Sequence, residues 1–530
     1  MPNNRKANIE GTAGTRGKGG GNADPAGDGS VKINAGAAGA GTKAQKSAPA
    51  QKSARVLKSA KTHEAAQAHD VALAHVNTYS RPSQLKITDI KVCDLGRPFN
   101  TTLIKILTNQ GIEGYGQVRE GGSRLYATML KRLLLGENPC NVDKLFRRIK
   151  QFGHHSHQGG GVSGIEIALW DIAGKAYGVP VWQMLGGKFR DKIRIYCDTD
   201  VHGKPDGKEM GRVLKKRIDD AGYTFMKMDL SCDELLIGVP GALTAPLGFI
   251  EDYDNAQTQQ WQMRSPDFMK SSTEDELLGK YAERRRVTDI ASIPGPFTFI
   301  SLTEKGLDIV EDYVKEVRGT VGYDVPIAVD HFGHIGVGDC IKLAERLDKY
   351  NLAWYEDMVP WYMTDHLAEI QSRSKTPLCT GEDIYLKENF LPLLEKRAVK
   401  LIHPDIISTG GIFETKKIGD MAQDYGVPMV IHMNETPIAC MAAVQVAATT
   451  ENFLAQEFHH HDYPWWSNLV KTRDNPIVQN GYINVPDEPG IGIEKLNDEE
   501  IKEHLHPVVN GFWEGTDEWN DWYAMDRLWL

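Results

Sequence analysis

The stretch 400-KLIHPDIISTGGIFETKKIGDMAQDYGVPMVIH-432 carries the pattern that decides the fold of this chain. Two short apolar runs, 400-KLIHPD-405 and 427-VPMVIH-432, lie on either side of a segment with helical character. Short strands that alternate with helices are typical of βα units, whose strands run parallel in one sheet. Both runs also end in an ionisable residue, Asp405 in the first and His432 in the second.

The same unit recurs along the chain from Lys192 onward. The predicted strands are 192-KIRIYCD-198, 224-TFMKMD-229, 326-PIAVD-330, 353-AWYE-356, 377-PLCTGE-382, 400-KLIHPD-405, 427-VPMVIH-432 and 452-NFLAQE-457. Eight strands close a (β/α)₈ barrel, so an α/β barrel is predicted over residues 191–458. The second and third strands are far apart in the sequence, and a long insertion is predicted at about residues 231–300.

The residues on either side of the barrel form three further segments. Residues 1–84 are rich in Gly, Ala, Lys and Ser, and they cannot bury enough apolar surface to offset the entropy of ordering. A disordered tail is therefore predicted there. Residues 85–190 combine a strand at 85-LKITDIKVCDL-95, a hairpin within 101–117 and helical patterns, which predicts an α+β domain. Residues 459–530 are rich in tryptophan, and we expect them to pack on this first domain or on another subunit.

Composition limits the class of function. Hydrophobic residues make up 41% of the 530 residues and charged residues 25%, the balance of an ordinary globular protein. The net charge of −10 argues against nucleic-acid binding by the core. No apolar run approaches the roughly 20 residues that a membrane span needs. The seven cysteines are scattered without a CxxC pair, which indicates reduced thiols and predicts a cytoplasmic protein.

The ends of the predicted strands carry the candidate chemistry. From the third strand to the eighth, the ionisable residues at the ends are Asp330, Glu356, Glu382, Asp405, His432 and Glu457. In a barrel these ends share the C-terminal face, where active sites of this fold lie. A single acidic residue at a strand end could be only a cap for the next helix. Six in register indicate a functional site.

The first three of these side chains predict a metal site. Three carboxylates at one point repel one another and raise each other's pKa unless a cation neutralises them. Asp330, Glu356 and Glu382 therefore favour a hard divalent ion with oxygen ligands, Mg²⁺ before Mn²⁺. One such ion is expected per subunit.

The remaining strand ends predict proton transfer. Asp405 can orient the imidazole of His432 and stabilise its protonated form, which makes His432 a candidate general base. Glu457 could hydrogen-bond an oxygen of a substrate or intermediate, and Lys227 on the second strand could add positive charge near a substrate carboxylate. Metal, base and cation together suit proton abstraction beside a carboxylate.

On these residues the chain resembles the mandelate racemase/muconate lactonizing enzyme-like branch of the enolase superfamily, across roughly residues 85–500. The helix 166-EIALWDIAGKAYGVPVWQMLGG-187 is similar to the N-terminal-domain signature of that branch. The segments 403-HPDIISTGGIFETKKIGDMA-422 and 430-VIHMNETPIACMAA-443 are similar to its sixth and seventh strands. The resemblance implies a modified TIM (β/α)7–8 barrel under a capping domain, and a homo-oligomer. It implies metal ligation by Asp330, Glu356 and Glu382, a catalytic pair of Asp405 and His432, and an eighth-strand acid at Glu457.

One departure from that branch bears on the reaction. Its racemases carry Lys-x-Lys on the second strand, whereas this chain has 227-KMD-229. This disfavours two-base racemisation and favours dehydration of a sugar acid to a 2-keto-3-deoxy acid, with the proton removed by His432. The ending 480-NGYINVPDEPGIGIE-494 is similar to mannonate and galactonate dehydratase-like groups. A racemase, epimerase or cycloisomerase, and a catalytically idle metal-binding scaffold, are the alternatives.

The acid that protonates the leaving group is predicted less directly. Related dehydratases often carry Asp-x-His at the third strand, whereas this chain reads 330-DHFGH-334. Side chains alternate along a strand, so His331 would face away from Asp330. His334 is the predicted acid, and His432 could itself return the proton if elimination is syn.

Three further segments are candidates for substrate contact. His155 or His157 in 154-HHSHQGG-160 could line the mouth of the barrel from the capping domain. A histidine of 459-HHHD-462 could contact substrate, with a solvated loop as the alternative. The loop 113-EGYGQVREGG-122 is the expected determinant of specificity.

Overall fold

The structure is a computed structural model, and it describes residues 80–155, 157–199, 206–230, 235–236, 239–244, 301–330, 335–507 and 511–522. The tail predicted at 1–84 lies almost wholly outside these residues, as does most of the insertion predicted at 231–300. All described residues belong to one compact unit, His69–Leu530. Among them, no helix combines the length and the apolar character that crossing a membrane requires.

A three-stranded antiparallel sheet begins the described chain. Its strands are β1 (Ile87–Asp94), β2 (Thr102–Thr108) and β3 (Glu113–Gln117), paired in that order. The hairpin predicted across the turn formers 109-NQG-111 is confirmed by the antiparallel register of β2 and β3. Residues on one face of this sheet, including Ile90, Ile104 and Ile106, are fully buried against helices.

Helices cover that face of the sheet. Their bounds are Leu125–Thr128, Lys131–Leu134, Val142–Ile149, Gly160–Tyr177 and Val181–Met184, with 3₁₀ turns at Pro82–Gln84, Lys150–His155 and His157–Gly159. The long helix ends at Gly178, whose left-handed φ of 71° favours glycine. Tighter i→i+3 hydrogen bonds at Leu130 and Leu133 separate the helices Leu125–Thr128 and Lys131–Leu134.

Eight parallel strands then form a closed barrel, as predicted. They are β4 (Lys192–Cys197), β5 (Met226–Asp229), β6 (Ile327–Asp330), β7 (Tyr355–Glu356), β8 (Leu378–Thr380), β9 (Leu401–Ile402), β10 (Met429–Ile431) and β11 (Phe453–Phe458). Each strand pairs with the next, and β11 pairs with β4 through Glu457 and Tyr196, which closes the circle. All eight predicted strands are therefore confirmed; seven have shorter bounds, and the eighth keeps its length but is shifted by one residue.

Helices on the outside connect the strands. Within the described residues these are Gly207–Ala221, Glu304–Val321, Val337–Leu347, Thr364–Arg373, Leu391–Glu395, Ile412–Asp424 and Pro437–Thr449. One buried residue from or beside each strand fills the barrel interior: Tyr196, Phe225, Ala328, Trp354, Cys379, Leu401, Val430 and Ala455. This filled interior makes the barrel a packed core, and it leaves the C-terminal strand ends as the place for a site.

The segment after the barrel runs back along both parts of the molecule. Strand Tyr482–Asn484 pairs antiparallel with β4, and a two-stranded ladder joins Val470–Lys471 to Lys495–Leu496. Short 3₁₀ turns at Trp466–Leu469 and Asp517–Trp519 and the helix Asp498–Glu503 complete it. Bridges from Glu514 to Val92 and from Leu505 to Leu95 bring its end onto the antiparallel sheet.

Candidate active site

The six ionisable residues at the strand ends lie at one end of the barrel and are largely removed from water. Asp330 and Glu356 are the last residues of β6 and β7, and Glu457 lies near the end of β11. Glu382, Asp405 and His432 follow β8, β9 and β10 by one to three residues. The side chains of Asp405 and Glu457 are 0% exposed, whereas that of Glu382 is 22% exposed. Glu382 therefore marks the side of the group that opens to solvent.

Lys227, on β5, lies between three of these carboxylates. Its Nζ is 2.6 Å from Asp330 Oδ2, 2.9 Å from Glu356 Oε1 and 2.6 Å from Glu457 Oε1. Burial alone would lower the pKa of Lys227, but the charges of Asp330 and Glu356 raise it well above its ordinary value. The six strand-end residues and Lys227 are called the strand-end ring below, and the Lys227 ammonium is its internal counter-ion.

Negative charge remains in excess around Glu356 and Glu382 in the strand-end ring. Asp357, next to Glu356, is half-buried and accepts a hydrogen bond from the Thr380 hydroxyl. Removal from water, and then the charges of Glu382 and Glu356, raise the pKa of Asp357 well above its ordinary value. Carboxylates gathered in this way favour a cation with oxygen ligands. The donor set at Asp330, Glu356 and Glu382 therefore fits a divalent metal.

Asp405 and His432 form a close hydrogen-bonded pair. His432 Nδ1 lies 2.6 Å from Asp405 Oδ2, while Asp405 Oδ1 accepts the backbone N–H groups of Ile407 at 2.5 Å and Ser408 at 3.1 Å. Burial raises the pKa of Asp405, but Arg119 and His432 together bring it below its ordinary value. A carboxylate on Nδ1 leaves Nε2 as the working nitrogen, and Nε2 lies 3.1 Å from Glu382 Oε2.

Arg119 reaches this pair from the residues that follow β3. Its Nη1 is 2.6 Å from Asp405 Oδ2 and 3.7 Å from Glu435 Oε1. Glu435 also accepts a 2.5 Å hydrogen bond from Gln117 Nε2. The loop was expected to set specificity, but the contact of Arg119 with Asp405 was missed. The sequence did contain a signal for this contact. Arg119 is an arginine in a loop expected at the mouth of the barrel, where the strand ends are rich in acidic residues.

Polar groups on the interior side of the strand-end ring contact Glu356. Trp354 Nε1 donates to Glu356 Oε2 at 2.7 Å, and His403 Nδ1 lies 2.9 Å from Glu356 Oε1. The hydroxyl of Tyr196 is 2.6 Å from His403 Nε2. Burial lowers the pKa of His403, but Glu356 and Glu457 raise it well above its ordinary value. His403 was missed as a site residue, although its place two residues before Asp405 puts both on one face of an extended segment.

The other candidate histidines have different positions. His331 and His334 lie outside the described residues, as do the side chains of His155 and His157. His459 lies in the ring, with Nε2 3.3 Å from Glu457 Oε1. The next two histidines of that run have other neighbours. His460 packs against Phe458 and Trp466, and His461 packs against Tyr223.

Among the described residues, three groups of potential metal-ligand atoms lie within 4.8 Å of one another: Glu356, Cys379 and His403; His432, Glu457 and His459; and Glu500, Glu503 and His504. The last lies far along the chain from the strand ends. The second mixes nitrogen and oxygen donors around His432, and it is the alternative metal set to the three carboxylates.

Comparisons with known proteins agree with this architecture. The family model for the N-terminal domain of mandelate racemase/muconate lactonizing enzyme matches residues 65–186, and that for the enolase C-terminal domain-like family matches residues 284–499. A D-xylonate dehydratase of Haloferax volcanii is 30% identical over 427 residues, which are 79% of this chain and 89% of the relative. A D-galactonate dehydratase of Cronobacter sakazakii is 24% identical over 79% of this chain and 94% of its own length.

Solved structures give the same picture. A mandelate racemase/muconate lactonizing enzyme-like protein from Rubrobacter xylanophilus is similar with a TM-score of 0.66 and 26% identity, covering 82% of this chain and all of that one. A member of the enolase superfamily from Salmonella Typhimurium is similar with a TM-score of 0.63 and 26% identity, covering 79% of this chain and 98% of that one.

Proposed function

The chain belongs to the mandelate racemase/muconate lactonizing enzyme family of the enolase superfamily, and we propose that it dehydrates an aldonic acid to a 2-keto-3-deoxy acid. Its relatives include enzymes named D-xylonate dehydratase and D-galactonate dehydratase, which makes it an acid-sugar hydro-lyase. Pentonates and hexonates are the proposed substrates. The observation that carries the proposal is the Asp405–His432 pair, with Nε2 directed at the carboxylate ring.

Asp330, Glu356 and Glu382 are the proposed metal ligands, and Mg²⁺ is the proposed ion. The support is an all-oxygen donor set at the ends of three neighbouring strands. When bound, a divalent ion supplies positive charge to the carboxylate of the substrate beside the base.

His432 is the proposed base for the proton on the carbon next to the substrate carboxylate. Asp405 accepts from Nδ1, so the nitrogen that takes the proton is Nε2. Arg119 and the backbone N–H groups of Ile407 and Ser408 fix Asp405 and with it the plane of the imidazole. Lys227 holds Asp330, Glu356 and Glu457 together against their mutual repulsion.

The second-strand position Asp229 supports elimination over racemisation. Racemases of this branch use a lysine there as the base on the opposite face of the substrate. This chain has an aspartate there, so we propose that proton abstraction takes place on the face of the substrate that contacts His432. A base on one face is sufficient for loss of water.

Proton NMR in D₂O tests the proposal directly. The purified full chain is incubated with Mg²⁺ and with pentonates, hexonates and aldarates, starting with D-xylonate and D-galactonate. We expect a 2-keto-3-deoxy product that EDTA abolishes and Mg²⁺ restores. Deuterium incorporation next to the carboxylate without loss of water would instead establish a racemase or epimerase. Metal titrations of Glu356→Gln and His459→Asn separate the two metal sets, because only the first variant should lose Mg²⁺.

A further inference from the structure

A second carboxylate–imidazole pair lies beside the first. Asp198 directly follows β4 and His459 directly follows β11, two strands that pair to close the barrel. His459 Nδ1 is 3.2 Å from Asp198 Oδ2, and its Nε2 is turned toward the carboxylate ring. Asp405 and His432 have the same order, with the carboxylate on Nδ1 and Nε2 toward the ring. Two imidazoles are therefore oriented in the same way from neighbouring strands.

Both working nitrogens approach the same carboxylate. Glu457 Oε2 is 3.7 Å from His432 Nε2, and Glu457 Oε1 is 3.3 Å from His459 Nε2. The centres of the two imidazole rings are 5.9 Å apart, with 59° between the ring planes. One substrate can therefore contact both rings at adjacent carbon atoms, since each nitrogen acts over about 3 Å.

His459 Nε2 points at the strand-end residues and is available to a further partner. The Nε2 atom is removed from water and, within the described part of the chain, meets no acceptor in good hydrogen-bond alignment, although Glu457 Oε1 is near. The side chain as a whole is 26% exposed, against 5% for His432, so His459 lies nearer the mouth. Burial lowers the pKa of His459, but Asp198 and Glu457 together raise it to about 9. An imidazole held in this way is a candidate for contact with substrate.

We propose that His459 is the general acid that protonates the departing β-hydroxyl group. The inference rests on the proposed dehydratase function and assigns a role that the Asp405–His432 pair does not fill. His432 Nε2 takes the proton from the carbon beside the carboxylate, and the electrons of that C–H bond are first held as the enolate of the carboxylate. The β C–O bond then breaks as the proton of His459 Nε2 moves to its oxygen, which leaves as water, and the enolate electrons form the double bond between the α- and β-carbons. The resulting enol takes a proton at the β-carbon, loses the proton of its hydroxyl group and becomes the 2-keto-3-deoxy acid.

This assignment also predicts the stereochemistry. The two imidazoles lie side by side on neighbouring strands, so the proton and the hydroxyl group leave from the same face of the substrate. Elimination should therefore be syn. The separate acid also means that His432 does not need to return its own proton to the leaving group.

The test compares wild type with His459→Asn on whichever of D-xylonate and D-galactonate the wild type dehydrates. We expect dehydration to fall at least about 100-fold. Deuterium exchange at the carbon beside the carboxylate should persist, because His432 is intact. Elimination of fluoride from the 3-deoxy-3-fluoro analogue should also persist, because fluoride departs without a proton. His461→Asn is the matched control, since His461 follows the same strand but packs on Tyr223, and it should retain full activity.

Different outcomes overturn different statements. Full dehydration by His459→Asn would overturn the assignment of the acid while leaving the dehydratase function in place. Equal loss of dehydration, exchange and fluoride release, in a protein that melts like wild type, would also overturn it and make His459 a residue that organises the site. A wild-type protein that exchanges deuterium but forms no 2-keto-3-deoxy product would overturn the proposed function, and this inference with it.

Discussion

The strand-end ring has two halves that neutralise their charges differently. The carboxylate half consists of Asp330, Glu356 and Glu382, and its internal counter-ion is the buried ammonium of Lys227. The imidazole half consists of Asp405, His432 and His459, with Arg119 on the carboxylate.

The difference supports the proposed division of tasks between the halves. An ammonium among carboxylates gives fixed charges that suit binding of a metal, whereas an imidazole held by a carboxylate at one nitrogen can transfer a proton through the other. Glu457 contacts both Lys227 and the histidines, and it joins the halves.

The largest effect is expected from His432→Asn, which removes the working nitrogen of the imidazole half. Dehydration should fall by about 10³- to 10⁴-fold in kcat, the contribution of a well-placed general base. Because the carboxylate half keeps its oxygens, Mg²⁺ affinity measured by calorimetry should change little. Loss of Mg²⁺ binding together with activity would show that the two halves are one site, and that the proposed division of tasks is wrong.

Lys227→Met tests the carboxylate half through stability. Without the ammonium, Asp330, Glu356 and Glu457 are left as uncompensated buried charges, and the free energy of unfolding should fall by about 3–5 kcal/mol. Saturating Mg²⁺ should recover part of this loss, because a divalent ion supplies positive charge to the same oxygens. Urea unfolding with and without Mg²⁺ measures both effects.

Lys131→Met is the matched control for that experiment. Lys131 is also fully buried, but its partners are Asp89 and Thr516, away from the ring. Its loss should destabilise the protein without any recovery by Mg²⁺. Equal responses of the two variants to Mg²⁺ would contradict a metal site at the carboxylate half.

Arg119→Met tests how the capping sheet serves the imidazole half. Arg119 fixes Asp405 at 2.6 Å, so its loss should let the pair drift from the productive geometry and lower kcat by about 100-fold. KM should change little, and Arg119→Lys should recover part of kcat, because it restores the charge without the planar fork.

A control variant separates this role from general docking of the two parts of the molecule. Glu166 accepts the backbone N–H groups of Ile412 and Phe413 across the same junction but lies away from the pair. Glu166→Gln should lower the melting temperature and leave kcat close to wild type. If it lowers kcat as much as Arg119→Met does, Arg119 acts only through docking.

The barrel and its strand ends were predictable because they depend on local patterns. Short apolar runs that each end in an ionisable residue identify the strands, and the period of a βα unit places those ends on one face. Periodicity cannot show which side chains converge from distant segments. Arg119 and Asp405 are 286 residues apart in the sequence, and only the seating of the capping sheet on the barrel brings them together.

The role of Lys227 shows a second limit. Its strand was predicted, and so was its positive charge near the site. The contacts of its ammonium with three protein carboxylates depend on the lengths of side chains from β6, β7 and β11 that meet above the packed interior. Such contacts are set by three-dimensional packing and pairwise distances, which no single stretch of sequence contains.

The smallest effect should come from Trp354→Phe, which alters the carboxylate half without touching its charge. The indole N–H holds Glu356 Oε2 at 2.7 Å, and its loss should weaken Mg²⁺ binding by about tenfold, as is typical of groups that orient metal ligands. At saturating Mg²⁺, kcat should return to the wild-type value, because the imidazole half is unchanged. Trp466→Phe is the matched control, since this buried indole donates instead to the backbone of Glu435, and its Mg²⁺ affinity should equal that of wild type. A lower kcat for Trp354→Phe at saturating metal would mean that Trp354 also helps to position His432.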